Sequence, residues 1–495
     1  MRERIGQGEL ETYLWGAATL LRGTIDAGEY KAFIFPLLFL KRLSDVFDEE
    51  YAVALEESAG DKAYASLPEQ HRFQVPDGAH WNDIRRAATD VGKALANAMR
   101  EIEVSNPRLF GVFGDAPWTN KERLPDSVLR DLIEHYSTVQ LNIESVPEDE
   151  LGVAYEFLIK RFADDSGHTA AEFYTNRTLV HLMTQMLDIR AGDSVYDPTC
   201  GSGGMLLSAA DELRRQGKEH RTLKLFGQER NLTTSSIARM NLFLHGIEDF
   251  EIVRGDTLAN PSFLEGDRLR RFDVVLANPP YSIKQWDRTA WQSDKWGRNL
   301  FGTPPQGRAD YAFWQHILCS MDESTGRCAI LFPHGVLFRE EEREMRERIV
   351  KGDIIEAIIG LGPGLFYNSP MEACVVVCRS RKEPSRAGKI LFVDAVREVT
   401  RERAQSFLTP ANIARIVSAY RRFAEEAGFS AAAVLAEIAA NGGNLSIRRY
   451  VRRAAGTAGA AQLPDTLRAW RESAFDLRVA AGELLDLLTA GRATS

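Results

Sequence analysis

The sequence predicts an α/β protein: a doubly wound, largely parallel sheet, preceded by an all-helical N-terminal domain and followed by a helical C-terminal tail. Three observations carry this expectation. Apolar residues recur at helical spacing near the N-terminus. From about Gly167 onward, short apolar runs alternate with helical segments, as strands joined by crossover helices do. A glycine cluster then stands where the first strand would hand over to its helix. The expected divisions are residues 1–165, 166–404 and 405–495.

The N-terminal part is read from "EYKAFIFPLLFLKRLSDVFDEEYAVAL", where Phe33, Leu37, Leu40, Leu43 and Phe47 share a helical face. More helix is expected in "WNDIRRAATDVGKALANAMREIE" and "LPDSVLRDLIEHYSTV", with a Pro/Gly break from Asn106 to Trp118. In the middle part, "NRTLVHLMTQML" reads as helix, "DSVYDPT" as a strand end and "MLLSAADELRRQG" as helix. "LKLFGQE", "EIVRGDT", "RFDVVLANPP", "CAILFP", "IIEAIIGL", "EACVVVCRS" and "KILFVDA" follow as strands. In the tail, Leu467, Trp470, Ala474, Leu477, Ala481, Leu484 and Leu488 keep a 3-4-3-4 spacing. Such a seam suits either a partner helix or the protein's own core.

The chain of 495 residues is too long for one typical domain. Its 44% hydrophobic and 26% charged residues are ordinary for a globular protein. No apolar run approaches the length of a membrane span, and Ala32 to Leu40 reads as core helix. The N-terminus has no apolar signal segment, so export is not expected. None of the five cysteines forms a CxxC pair, which fits a reducing compartment and leaves no zinc site in view. Cys374 and Cys378 lie in an apolar run and read as small core residues. A net charge of -9 argues against a lone, strong nucleic-acid binder, because such binding rests on neutralising phosphates.

"VYDPTCGSGGMLLSAADEL" puts Asp197 at a strand end and Gly201, Gly203 and Gly204 before a helix. Glycines there let a ligand approach the backbone, and the helix start offers free N–H groups. The spacing is not GxGxxG, and no GK[ST] is present to hold nucleotide phosphates. Glu229 ends the second strand, where a carboxylate can accept ribose hydroxyls. Asp256 ends the third, within reach of an adenine ring. The outline is a ligand with ribose and adenine but no required pyrophosphate; S-adenosylmethionine fits it better than NAD.

The fourth strand ends in "NPPY", Asn278 to Tyr281. Two prolines in a row fix φ and make a rigid exit. The exocyclic nitrogen of adenine is a poor nucleophile, since its lone pair is delocalised into the ring. The Asn278 side-chain oxygen and the Pro279 carbonyl would hold both amino hydrogens and turn the lone pair toward a methyl group. Pro280 completes the rigid turn, and Tyr281 would stack on a planar base. A base within a duplex must first be turned out to reach such a pocket. A plain strand exit would need none of these residue types.

With these residues in place, the sequence resembles the modification (methyltransferase) subunits of type I restriction–modification systems. "NPPY" and "DPTCGSGG" carry the wider likeness to amino-methyltransferases. The narrower one rests on "EFYTNR" (Glu172 to Arg177), "FGQERN", "MNLFLHGI", "RADYAFWQHIL" and "LFPHGVLFR". The flanking "LWGAATLLRGTIDAGEYKAFIFPLLFLKRLSD" and "NLSIRRYV" match as well, so the likeness covers nearly the whole chain. It implies the Rossmann-like sheet of S-adenosylmethionine-dependent methyltransferases and N6-methyladenine in double-stranded DNA as product. Carried over by match, Glu172, Phe173, Tyr174 and Thr175 lie against the methionine part of the cofactor. Asp197, Gly201, Ser202 and Gly203 form the cofactor turn, Glu229 holds the ribose and Asp256 approaches adenine. Asn278, Pro279, Pro280 and Tyr281 receive the target base. Asn176 departs from the family, which usually has proline after "FYT".

The resemblance also implies partners that answer the charge problem: a DNA specificity subunit that reads sequence, a second copy of the chain beside it, and a restriction subunit as a further associate. It implies a bacterial or archaeal cytoplasm, an N-terminal domain that closes over DNA, and a tail that contacts the specificity subunit. The loop Ser282 to Tyr311 interleaves Trp286, Trp291 and Trp296 with Lys284, Arg288, Lys295 and Arg298. That mixture suits DNA contact, or a lid packed on the sheet edge. NPPY also serves enzymes that methylate a protein glutamine amide, but two helical extensions and the large loop argue against that substrate. A stand-alone DNA methyltransferase would need its own recognition domain, for which the residues after about 400 leave little room. With no phosphate loop, cleavage of DNA by this chain alone is not expected.

Overall fold

The computed structural model describes residues 4–165, 175–365, 372–401 and 406–451. The N-terminal region is built on α1 (Gln7–Leu20), α2 (Lys31–Glu57), α3 (Val91–Ser105), α4 (Asp126–Ser137) and α5 (Glu148–Asp165). The run Phe33 to Leu40 is buried along its whole length. A helix that is apolar on every side needs neighbours on every side. Leu10 and Leu14 of α1, Leu132 of α4 and Tyr155 of α5 supply them within one core.

Among the described residues nine strands form the main sheet: β1 (Ser194–Asp197), β2 (Lys224–Glu229), β3 (Phe250–Arg254), β4 (Val274–Ala277), β5 (Arg327–Pro333), β6 (Ile355–Leu361), β7 (Ala373–Arg379), β8 (Lys389–Ala395) and β9 (Ser430–Val434). Their spatial order is β9-β8-β6-β7-β5-β4-β1-β2-β3. The chain moves outward from β1 through β3 and then returns to place β4 on the other side of β1. The switch point therefore lies between the ends of β1 and β4, where open α/β sheets bind ligands. Helices α6 (Arg177–Met186), α7 (Gly204–Arg215) and α11 (Pro410–Arg422) cover one face; α9 (Asp310–Cys319) and α10 (Arg343–Lys351) cover the other. Side chains alternate between the faces: Val274 and Leu276 point one way, Val275 and Ala277 the other. Cys328, Cys374 and Cys378 are buried in the second core, as small hydrophobes.

Helix α8 (Leu232–Leu244) joins the two regions. Its Ile237, Met240, Phe243 and Leu244 belong to the N-terminal core. The Tyr155 hydroxyl donates to the Ile237 carbonyl at 3.2 Å, and Arg239 donates to the Arg108 carbonyl at 2.7 Å.

The sheet is largely parallel, as expected, with antiparallel pairing where β7 meets β5 and β6 and where β9 meets β8. Beyond residue 405, helix α11 packs on the sheet, and β9 is its last strand. The alanine-rich "SAAAV" favours helix by propensity, but pairing with the β8 backbone overrides it. The seam from Leu467 to Leu488 lies outside the described residues.

Helix α11 is tied to the sheet by a buried charge. Glu356 has no exposed side-chain surface and pairs with Arg379 at 2.6 Å and Arg386 at 3.1 Å. The Tyr420 hydroxyl of α11 donates to the same carboxylate. Replacing Glu356 by alanine strands two arginines, a loss of about 3 kcal/mol for a broken buried pair. The expected result is a lower urea midpoint for Glu356→Ala than for the double variant Glu356→Ala/Arg379→Ala.

Candidate active site

The turn after β1 is shaped by glycine and held from outside. Gly201 and Gly203 adopt φ of +53° and +80°, which glycine enters without a Cβ clash. Gly201 N–H donates to Glu229 Oε2 at 3.1 Å. The Ser202 carbonyl accepts from Asn241 Nδ2 at 3.0 Å, and Cys200 N–H donates to the Gln228 carbonyl at 3.0 Å. Helix α7 then begins at Gly204, with its first N–H groups toward the cleft.

Three carboxylates stand at successive strand ends, each engaged by backbone. Asp197 is 2% exposed and accepts from Thr199 N–H at 2.9 Å. Burial pushes its carboxyl up to about 8, with the nearby Glu229 charge adding to the rise and the Thr199 N–H opposing it. Glu229 also accepts from Asn231 N–H at 2.8 Å. Asp256 caps its own turn through the N–H groups of Leu258 at 3.0 Å and Ala259 at 3.1 Å. Arg230 lies 3.5 Å from its free oxygen.

Across the switch point, Asn278 leaves β4 with both ends of its side chain occupied. Its Nδ2 donates to Thr175 Oγ1 at 2.9 Å. Its Oδ1 accepts from the Tyr281 hydroxyl at 2.6 Å. Burial holds that phenol well above its ordinary pKa, so it remains a donor. The oxygen expected to receive a base amino group is thus capped by the very tyrosine expected to stack on the base.

A cleft of about 680 Å³, open mouth included, brings together Thr175, Asp197, Gly201, Ser202 and Asn278. Gly203, Glu229, Asp256, Pro279, Pro280 and Tyr281 do not line it. Glu172, Phe173 and Tyr174 lie outside the described residues. Asn176, in place of proline, caps α6 through Thr178 N–H at 3.0 Å and donates to the Ser406 carbonyl at 3.0 Å. It therefore ties the segment down through hydrogen bonds that proline lacks. Sequence reasoning missed the Glu156–Arg177 ion pair on the far wall of the cleft. It also missed Asn241, although "MNLFLHGI" had drawn attention. A polar residue set among the apolar Met240, Leu242, Phe243 and Leu244 was the available signal.

The loop from Ser282 to Tyr311 is, in its middle, a packed lid. Arg298 is 1% exposed and pairs with Asp294 at 2.6 Å. It donates to the carbonyls of Thr257 at 2.9 Å and Leu258 at 2.7 Å, and lies over the rings of Trp291 and Trp296. Trp291 is buried as well. Of the two readings of this loop, the packed lid describes Trp291 and Arg298, because a guanidinium this well satisfied has no donors left to offer. Lys284 and Lys295 remain exposed.

Comparison with known proteins points one way. The family model described as N-6 DNA Methylase matches residues 146–457, and the HsdM N-terminal domain matches residues 10–136. The chain is 30% identical over 461 residues to the type I restriction enzyme MjaVII methylase subunit of Methanocaldococcus jannaschii, covering 88% of this chain and 76% of that one. It is 30% identical over 379 residues to the HindI methylase subunit of Haemophilus influenzae, covering 73% and 83%. The solved methyltransferase subunit of a Streptococcus thermophilus type I restriction–modification system superposes with a TM-score of 0.78 at 28% identity, covering 90% of this chain and all of that one.

The raised pKa of Asp197 gives a signed prediction. Its folded value of about 8 lies above its unfolded value of 3.8, so its contribution to stability is complete below pH 4 and is lost as pH rises toward 8. Asp197→Asn removes this dependence. Its urea midpoint is expected to gain on the wild type steadily between pH 5 and 8.

Proposed function

The chain belongs to the N-6 DNA methylase family, and from that premise we propose that it methylates adenine N6 in double-stranded DNA, with S-adenosylmethionine as donor, as the modification subunit of a type I restriction–modification complex. The observation that carries this reading is the placement of Asn278 at the end of β4, on the wall of a cleft that runs over the glycine turn. The protein-glutamine and stand-alone readings are not favoured, since the relatives above are named type I methylase subunits.

The cleft fits the cofactor in charge. Asp197 offers an acceptor at the end of β1, and the Glu156–Arg177 pair offers both signs of charge for a zwitterionic amino acid head. Glu172 to Thr175 would flank that head, and Asp256 would border the adenine. When bound, S-adenosylmethionine supplies a methyl group activated by a sulfonium.

The protein's own work is to orient the amine. A flipped adenine must first displace the Tyr281 hydroxyl from Asn278 Oδ1. Asn278 Oδ1 and the Pro279 carbonyl then accept the two amino hydrogens, and Pro280 keeps that carbonyl aimed. The Tyr281 ring then stacks on the base. Thr175 keeps the asparagine amide from turning, because it accepts from Nδ2. The surplus proton leaves after transfer, so no strong base is required.

The net charge of -9 supports a partner that neutralises DNA phosphates. We assign that task, and sequence reading, to a DNA specificity subunit flanked by two copies of this chain, to which a restriction subunit can add. Residues 1–165 form the helical domain that faces DNA. The catalytic domain proposed for 166–404 is extended through residue 451, and the remainder is the tail that contacts the specificity subunit. No helix among the described residues is long and apolar enough to cross a membrane, which accords with a place in the cytoplasm.

Methyl transfer from labelled S-adenosylmethionine to duplex DNA tests the reading. Label on adenine N6 is expected from the complex with the specificity subunit and not from the chain alone. In that complex Asn278→Ala is expected to lower kcat by about 10²-fold or more, the scale of losing one oriented polar group. Its cofactor affinity should stay within about twofold, since the amide is reserved for the transition state. Transfer to a protein amide instead of DNA would overturn the assignment.

A further inference from the structure

The backbone leaves Tyr281 through a residue in an unusual conformation. Ser282 has φ of +52°, the left-handed region that side chains with a Cβ enter reluctantly. Its N–H donates to Asp310 Oδ1 at 2.8 Å. Asp310, the first residue of α9, is 1% exposed. Its second oxygen accepts from Arg339 Nη1 at 2.7 Å.

Arg339 is itself fixed. A Cβ at Gly335 would stand 2.4 Å from its Nε, so the guanidinium lies against bare backbone. It reaches Glu342 at 3.4 Å, and its carbonyl accepts from the buried Arg346 at 2.9 Å. Neither Asp310 nor Arg339 lines the cleft, and methyl transfer asks nothing of them chemically. A buried carboxylate is nonetheless costly unless paired, and its pairing leaves it no freedom to move. Oδ1 is therefore a stationary acceptor one residue beyond the tyrosine, joined to Ser282 by a charge-assisted hydrogen bond.

We propose that Asp310 is a positioning residue: with Arg339 it holds Ser282 in the left-handed conformation and so fixes the backbone from which Tyr281 swings between Asn278 and the target base. The inference rests on the reading of Asn278 to Tyr281 as the base site. On this account the tyrosine exchanges its hydrogen bond for a stack by side-chain rotation about a stationary Cα. The loop need not be reordered on each turnover. The device explains why a serine tolerates positive φ at this position: the strain is offset by an acceptor aimed at its N–H.

The test is a double-mutant cycle in the complex with the specificity subunit, read by kcat for DNA methylation and by calorimetric binding of S-adenosylmethionine. Ser282→Val leaves the Asp310–Arg339 pair intact but resists positive φ. It is expected to lower kcat at least about tenfold with cofactor affinity within about twofold. Asp310→Ala is expected to do the same. Glycine carries no penalty at positive φ, so Ser282→Gly should raise kcat at least about fivefold more in the Asp310→Ala background than in the wild-type background. Wild-type kcat in Ser282→Val, or an equal effect of Ser282→Gly in both backgrounds, would overturn the proposal. Should Asp310→Ala fail to fold, Ser282→Val decides alone. A wild-type complex that labels no DNA would instead refute the proposed function, so the two failures are separate.

Discussion

The hydrogen bond from Asn241 to the Ser202 carbonyl is the contact on which the site depends. The glycine turn after β1 has few side chains of its own to hold it, which is what a turn needs if a ligand is to lie against its backbone. It is therefore held from outside: by Asn241 of α8 on one side and by Glu229 of β2 on the other. Asn241 is wholly buried, so its amide has no water to turn to. Because the outward face of α8 belongs to the N-terminal core, the same helix seats the helical region and secures the turn. A shift of that region relative to the sheet would be felt at Ser202.

Across the switch point a different kind of restraint operates. Asn278 is fixed by two side-chain hydrogen bonds, and the prolines after it by their rings. Acidic groups gather at the ends of β1, β2 and β3, each accepting from backbone N–H donors. That arrangement favours a cation-bearing ligand and disfavours phosphates. It agrees with the acidic balance of the whole chain and with a division of labour in which another subunit grips DNA. Among the described residues of the lid one cation, Arg298, is buried. Arg298 spends its donors on carbonyls beside Asp256 and turns the lid inward.

The strand-and-helix alternation was legible because buried parallel strands are continuous apolar runs and their covering helices are amphipathic. The glycine turn and NPPY were legible because each needs residue types that ordinary loops do not require. Two parts of the fold were not. The antiparallel insertion of β7 leaves no mark on its apolar run, since strand direction is a property of the connection. The edge strand β9 was hidden by alanines whose intrinsic preference is for helix. In the loop after NPPY, composition suggested a surface for DNA, while burial of Trp291 and Arg298 made its centre structural.

The sequence by itself determined the fold class and put the glycine turn and NPPY at the ends of β1 and β4. These follow from local rules: periodicity, turn chemistry and the rigidity of proline. Only the tertiary structure decided how those residues are engaged. That Thr175 holds Asn278 across 103 positions of chain, that Asp310 holds Ser282 across 28, and that Asn241 reaches Ser202 across 39 are pairings between distant segments. No local pattern encodes such pairings, because the free energy that selects them, burial of polar groups with their partners, exists only once the sheet has brought the segments together.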